Sequence, residues 1–249
     1  MKKRDYLFYT LGILLLFIIW FFSSIITNQE LILPKISSVF KELGLLLIKK
    51  DIYLAIYGSF IRVLLGFTIS LIVGIFLGVL ANRFRFFELL FKPMYLIVKN
   101  VPTASVLLLL LIMVGFSKTP LILLLIVTIP IIYQSTIYGF QTISNDIKDI
   151  NKLDNANNLM NFFQVILPLV LPSIINGVII AIGVGIKAEV MAEILSGSTK
   201  NNGIGLLLKY ARDNLEIAKL FAITILFIII TIFIEQTMSF LHKKYQITY

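Results

Sequence analysis

Long uninterrupted apolar runs are the feature of this sequence that most constrains its fold. One of them, GILLLFIIWFF, lies near the N-terminus, and another, ILFIIITIFI, lies near the C-terminus. A helix needs about 20 mostly apolar residues to cross the hydrocarbon core of a bilayer, and several segments reach that length. Because backbone amides in lipid must find hydrogen-bond partners within their own segment, these runs are predicted to form transmembrane helices.

The apolar runs predict an all-α, polytopic transmembrane helical bundle in which residues 1–249 form a single domain. Its core is expected over about 58–241, after a first, retained span. We predict six spans, at about 7–27, 58–81, 88–116, 119–140, 166–190 and 217–241. Between the first two spans, apolar residues recur at the spacing of an amphipathic helix lying at the membrane interface: Val39, Leu43, Leu46 and Leu47.

The charge balance is interpreted as a determinant of membrane topology. The chain carries a net charge of +9, yet only 14% of its residues are charged, against about 25% in soluble domains. No dense Lys/Arg run with interleaved aromatic residues indicates a nucleic-acid partner. Basic clusters in MKKRDY and in the loop ANRFRFFELLFK predict a cytoplasmic N-terminus. The absence of cysteine excludes disulfides and thiol chemistry.

A polar segment, DIKDINKLDNANNLMNFFQVILP, separates the fourth and fifth spans. Asp154 and Asn155 lie where one short helix can end and another begin, because both residues cap helices well. Pro168 and Pro172 open the next span. A solvated loop is the simpler interpretation. The helical spacing of the apolar residues in this segment favours two short cytoplasmic helices on which a soluble partner can dock.

This segment resembles the cytoplasmic coupling motif of the inner-membrane permeases of ABC importers, in which Glu-Ala-Ala is followed by Gly and later by Leu-Pro. Aligned on Leu167 and Pro168, Asp149 takes the Glu position and Asn155 takes the Gly position. The two alanines are replaced, and Asn stands in for Gly where φ is positive. The resemblance implies coupling helices at about 143–165 and an ATPase-coupling role for Asp149, Leu153, Asn155, Ala156, Met160, Phe163, Leu167 and Pro168.

Four further stretches are similar to permeases of the nitrate, sulfonate and taurine group. They are LILPKISSVFKEL, SFIRVLLGFTISLIVGIFLGVLANRF, KNVPTASVLLLLLIMVGFS and IKAEVMAEILSGSTKNNGIGLLLKYARDNLEIAKLFA. The resemblance covers about residues 30–236 and implies the type I ABC importer permease fold. It also implies a cell-membrane location, a homodimer of two permease copies, separate ATPase subunits and an extracytoplasmic solute-binding protein. The implied solute is a small organic anion or resembles a vitamin precursor.

The sequence carries no catalytic set of its own. A phosphate-binding loop needs Gly before its Lys-Ser/Thr, and GFSKT lacks that Gly before Lys118. ATP is therefore expected to bind a separate subunit, and this chain is expected to be non-catalytic, with no cofactor and no metal. The single histidine, His242, is interpreted as an interfacial residue. An ATP-independent channel or secondary transporter is the alternative, while a membrane-embedded enzyme is disfavoured.

Charged residues inside spans are costly, so they are candidates for function. Glu189 and Glu193 are four residues apart on one helical face, and Lys187 lies just before them. They are predicted to line the translocation path or to brace a gate between two permease copies. The alternative is that they lie in water at the outer end of the span. Arg62 is expected to snorkel outward or to pair with an acid.

Two other features concern the shape of the spans. Pro102 interrupts the third span, so that an elbow helix followed by a shorter span is one interpretation, and contact with the solute is another. Gly74 and Gly78 form a Gly-x-x-x-Gly pattern that allows close helix packing, either within the subunit or across a dimer. Glu235 is interpreted as an anchor or packing partner.

Overall fold

The structure, a computed structural model, describes residues 3–144, 147, 160, 162–198 and 202–246, and all regular secondary structure in these ranges is helical. A π-helical turn, Phe162–Ile166, leads directly into the helix Leu167–Ser196. The α-helices are α1 Lys3–Thr27, α2 Ile36–Ile48, α3 Lys50–Arg83, α4 Arg85–Asn100, α5 Thr103–Met113, α6 Thr119–Gln141, α7 Leu167–Ser196, α8 Ile204–Asp213 and α9 Ile217–Gln246.

The predicted all-α bundle with about six spans is confirmed. Among the described residues, five helices (α1, α3, α6, α7 with its preceding turn, and α9) are long and apolar enough to cross a bilayer. α4 and α5 reach the length and hydropathy of a span only as a pair, and the two helices are bent by 104° relative to each other. The bend falls at Val101, which is extended with φ −78° and ψ 132°, because a residue that precedes proline avoids helical angles. The elbow interpretation of Pro102 is therefore confirmed.

The predicted span edges differ from the observed helix ends. α3 begins at Lys50 rather than near 58, and α7 ends at Ser196 rather than near 190. Apolar runs mark only the part of a helix that lies in hydrocarbon, and a helix continues beyond it wherever polar side chains can be solvated or paired.

A stripe of small residues brings α3 against α6. It recurs every fourth residue and meets four residues of α6 at one constant sequence offset, so the two helices run parallel. A Cβ on Gly78 would lie only 2.6 Å from the Cβ of Thr136, which explains why glycine is needed for this approach. Gly74 and Gly78 thus lie at a contact between two spans of one subunit. The facing pairs are Gly66–Leu124, Ser70–Thr128, Gly74–Ile132 and Gly78–Thr136.

α6 is the central helix because α7 packs on it as well. α7 runs antiparallel to α6, with Gly185 against Thr128 and Gly177 against Ser135. We define the N-terminal end of the bundle as the end where α1 begins, α3 ends and α7 begins. The opposite end carries α2 and α8. At that opposite end Trp20 of α1 stacks on Phe221 of α9, with 5.8 Å between ring centroids.

The amphipathic helix predicted between the first two spans is α2. Val39 and Leu46 form its buried face and pack in one hydrophobic cluster with Ala222 and Ile223 of α9. Leu47, which the prediction placed among the apolar positions of that helix, is exposed. The buried face of α2 therefore contacts protein rather than lipid.

Candidate functional site

A buried charged cluster lies near the opposite end of the bundle. The four-residue spacing of Glu189 and Glu193 puts both carboxylates on one face of α7, where they meet Arg62 of α3. Arg62 Nε donates to Glu189 Oε1 at 2.9 Å, and Arg62 Nη2 donates to Glu193 Oε1. Glu189 is 0% exposed and Glu193 is 2% exposed. Arg62 therefore pairs with acids rather than snorkelling outward, and the interpretation of the two glutamates as solvated is wrong.

The cluster contains one more negative than positive group. Charges inside a membrane span are tolerated when they are paired, and one guanidinium here faces two carboxylates. Glu189 Oε2 has no hydrogen-bond partner among the described residues. Beside Glu189 lies a small void of about 40 Å³ with apolar neighbours such as Ile56 and Phe227. The hydrogen bonds of the cluster thus converge on Glu193, not on Glu189.

Glu193 and Ser59 together cap the N-terminus of α8. The first amides of a helix have no partner within it, and the N-cap residue, Gly203, has no side chain to supply one. Instead the Ile204 amide donates to Ser59 Oγ at 2.9 Å, and the Gly205 amide donates to Glu193 Oε2 at 2.8 Å. A carboxylate also complements the positive end of the helix dipole. The cap of α8 is therefore built by α3 and α7.

Two glycines allow this close approach. A Cβ on Gly203 would collide with the carboxylate of Glu193 and the guanidinium of Arg62. A Cβ on Gly205 would lie 2.6 Å from the carbonyl oxygen of Val190. The cluster thus joins α3, α7 and α8 into one unit. The sequence analysis did not predict this cap. Its only signal in the sequence is that the N-cap position of α8 is Gly203 and not Ser, Thr, Asp or Asn.

The other two predicted path residues lie elsewhere. Lys187 is exposed on α7, with its Nζ 4.0 Å from Glu235 Oε1 of α9. Glu235 therefore forms an ion pair with Lys187. Pro102 is exposed at the bend between α4 and α5. Neither residue joins the Arg62 cluster. In the described parts of the chain, no group of three or more His, Asp or Glu side chains is arranged to hold a metal ion.

The structure describes four of the eight residues that were predicted to couple the chain to an ATPase. Asp149, Leu153, Asn155 and Ala156 lie outside the described residues. The other four lie at the N-terminal end of the bundle, before or at the start of α7: Met160, Phe163, Leu167 and Pro168.

The start of α7 is anchored on one side and exposed on the other. Phe162 packs against a buried cluster that includes Phe140 and Val170. Its neighbour Phe163 is 60% exposed. Because Pro168 lacks an amide hydrogen, the α-helical hydrogen bond to the residue four before it cannot form, and the turn preceding it is π-helical. An exposed apolar surface is therefore fixed directly to a membrane span.

Comparisons with known proteins place these features in context. A family model described as "Binding-protein-dependent transport system inner membrane component" matches residues 70–247. The nitrate import permease protein NrtB of Synechocystis sp. is 24% identical over 121 residues, which span 48% of this chain and 44% of NrtB. The alignment thus covers less than half of that relative.

A solved structure provides the third comparison. It describes inward-facing conformations of the MetNI methionine ABC transporter, and one of its chains matches with a TM-score of 0.55 at 16% identity. The match covers 84% of this chain and 94% of that chain. At this level of identity the likeness shows a common fold.

Proposed function

Because the chain belongs to the family of binding-protein-dependent transport system inner membrane components, we propose that it is the permease subunit of an ATP-binding-cassette importer. The family match over residues 70–247 carries the proposal, since it includes α6, the start of α7 and α8. The resemblance to type I ABC importer permeases, drawn from the sequence, is confirmed by this match and by the common fold. In the proposed role, the bundle forms the solute pathway.

We further propose that separate ATPase subunits bind the segment at about 143–165. The support is the exposed apolar surface of Met160 and Phe163, which lies next to the first turn of α7. ATP binding by those subunits displaces the segment, and the displacement passes through Leu167 and Pro168 into α7. Since α7 packs along α6, which packs along α3, the movement reaches three spans.

The remaining parts of the assembly are proposed from the family. Two copies of the chain form the pore, an extracytoplasmic protein delivers the solute, and the N-terminus lies in the cytoplasm. The solute is a small organic anion or resembles a vitamin precursor, and the similarity to NrtB, a nitrate import permease, supports an anion. The Arg62 cluster is proposed to brace the gate at the opposite end of the bundle.

The coupling proposal is tested by introducing bulky side chains into the segment at about 143–165. Replacing Asn155 and Ala156 together with Trp should abolish uptake of the solute carried by the cognate binding protein, while membrane insertion is retained. Ser37→Trp, on the exposed surface of α2 at the opposite end, is the control and should insert normally. Uptake at the wild-type rate in the double variant would refute the coupling assignment.

The alternative is an ATP-independent channel or secondary transporter, and a second experiment separates it from the proposal. The affinity-tagged full-length chain should copurify with an ATPase that contains a phosphate-binding loop. Transport by the purified chain in vesicles without any ATPase would instead establish the alternative.

A further inference from the structure

A cavity of about 400 Å³ lies at the bend between α4 and α5. Its wall includes Lys99 at the end of α4, Thr103 at the start of α5, and Gln134 and Ser135 inside the α6 span. The volume falls within the range of about 300–1,000 Å³ that is typical of small-ligand sites. The cavity is distinct from the Arg62 cluster and contains none of the residues predicted to line the path.

Two polar side chains of α6 are explained by this cavity. Gln134 and Ser135 belong to a membrane-spanning helix, yet neither side chain has a hydrogen-bond partner among the described residues. Unpartnered polar groups are costly in hydrocarbon. The cost disappears when these groups face water or a polar ligand, so the cavity is expected to be hydrated.

The charge of the cavity is positive. Lys99 is the only charged residue in the described part of its wall. Its Nζ lies 5.8 Å from the ring centroid of Tyr95, and it forms no ion pair with a described carboxylate. An unpaired ammonium beside an amide and two hydroxyls provides a charge and several hydrogen-bond donors. That combination is complementary to an anion with oxygen acceptors.

We propose that this cavity holds the transported solute and that the solute is a small monovalent oxyanion, such as a carboxylate, a sulfonate or nitrate. Lys99 supplies the charge contact, while Gln134 and Ser135 donate hydrogen bonds. The inference rests on the proposed transport function and adds the position of the solute and the side chains that bind it. The same positive charge disfavours cations.

The test uses the absence of cysteine from the chain, because Ser135→Cys then provides a single thiol. The full-length variant in membrane vesicles is labelled with the anionic ethylsulfonate methanethiosulfonate or with its cationic trimethylammonium analogue. The anionic reagent should react faster. Adding Lys99→Gln should lower the anionic-to-cationic rate ratio about tenfold, because a unit charge acting through water at a range of about 6 Å changes the local concentration of each reagent about threefold, in opposite directions for the two reagents.

Further variants make the test specific. Lys99→Arg retains the charge and should retain the ratio. Ser37→Cys on α2, at the opposite end of the bundle, should give a ratio that does not depend on residue 99. Gln134→Cys provides a second labelling position if Ser135→Cys does not fold beside Gly177. Methanesulfonate and nitrate should slow the labelling, and their protection should be lost with Lys99→Gln.

Two results would overturn the anion site. One is a thiol at 134 and 135 that neither reagent reaches, and the other is a rate ratio unchanged by Lys99→Gln. Either result leaves the permease proposal standing, because that proposal is tested separately by copurification with an ATPase.

Discussion

The buried cluster predicts that two identical substitutions four residues apart have different effects on stability. Glu193 accepts hydrogen bonds from Ser59, Gly205 and Arg62, using both oxygens. Glu189 accepts only from Arg62, through Oε1, and its Oε2 has no partner among the described residues. Replacement by glutamine keeps the shape of each side chain and converts one oxygen into an NH₂ group. The hydrogen bonds lost therefore decide the cost.

Glu193→Gln must turn its new NH₂ group toward a donor. A charge-assisted hydrogen bond contributes about 1.5–3 kcal/mol, and a buried donor without a partner costs about 1–3 kcal/mol. We expect a loss of about 3 kcal/mol in the free energy of unfolding. Glu189→Gln can keep its oxygen on Arg62 and place the NH₂ group where Oε2 has no partner. It also removes the excess negative charge, so the expected change is within about 1 kcal/mol.

Thermal unfolding of the full-length chain in detergent measures this difference. The only tryptophan, Trp20, packs in the same hydrophobic cluster as Ile204 and Leu208 of α8, so its fluorescence reports on the region that the cap holds. For a chain of this size, about 3 kcal/mol corresponds to a decrease in Tm of about 6–12 °C. Hydrogen exchange at the Ile204 and Gly205 amides should also accelerate in Glu193→Gln.

The control is Glu30→Ala, which removes an exposed ion pair with Lys35 and should change stability by about 0–1 kcal/mol. Equal decreases in Tm for Glu189→Gln and Glu193→Gln, or a larger decrease for Glu189→Gln, would refute the reasoning. Unchanged exchange in α8 would show that Glu193 does not cap that helix.

Three glycine substitutions provide further predictions, measured in the same unfolding and exchange assays. Gly78→Ala should cost about 1–3 kcal/mol, because its Cβ would lie 2.6 Å from the Cβ of Thr136; an unchanged Tm would contradict the tight α3–α6 contact. Gly203→Ala should accelerate amide exchange in α8 by displacing Glu193, although its φ of −165° suits any residue. Gly44→Ala in α2, with nothing within 4 Å, is the matched control and should stabilise by about 1 kcal/mol or less.

The spans and their packing pattern were predictable because they depend on local sequence. Apolar length predicted the bundle, and Pro102 predicted the elbow. Gly74 and Gly78 were identified as packing residues, but Gly66 and Ser70 belong to the same stripe and were not. A serine at this spacing can be identified as a packing residue only when its partner on the other helix is known. The sequence does not show which helices are neighbours.

The two glutamates of the charged cluster were predictable from local sequence, but their partners on α3 were not. Helical spacing places Glu189 and Glu193 on one face, and this needs no tertiary information. Their common partner, Arg62, is more than 120 residues earlier in the chain, and Ser59 is equally distant. Gln134 was a visible polar residue inside an apolar span, yet its meaning depends on the bend that opens a cavity beside it.

The interlocked stripe between α3 and α6 limits how these helices can move. Sliding one helix along the other would force Thr136 past the side chains of the next turn, so the four facing pairs oppose sliding. The two helices can still tilt together as one rigid body. α3 has 34 residues, which is about 50 Å of helix, so a tilt of about 5° displaces one end by about 4 Å. A slight rotation at one membrane surface is thereby enlarged into an ångström-scale opening at the other.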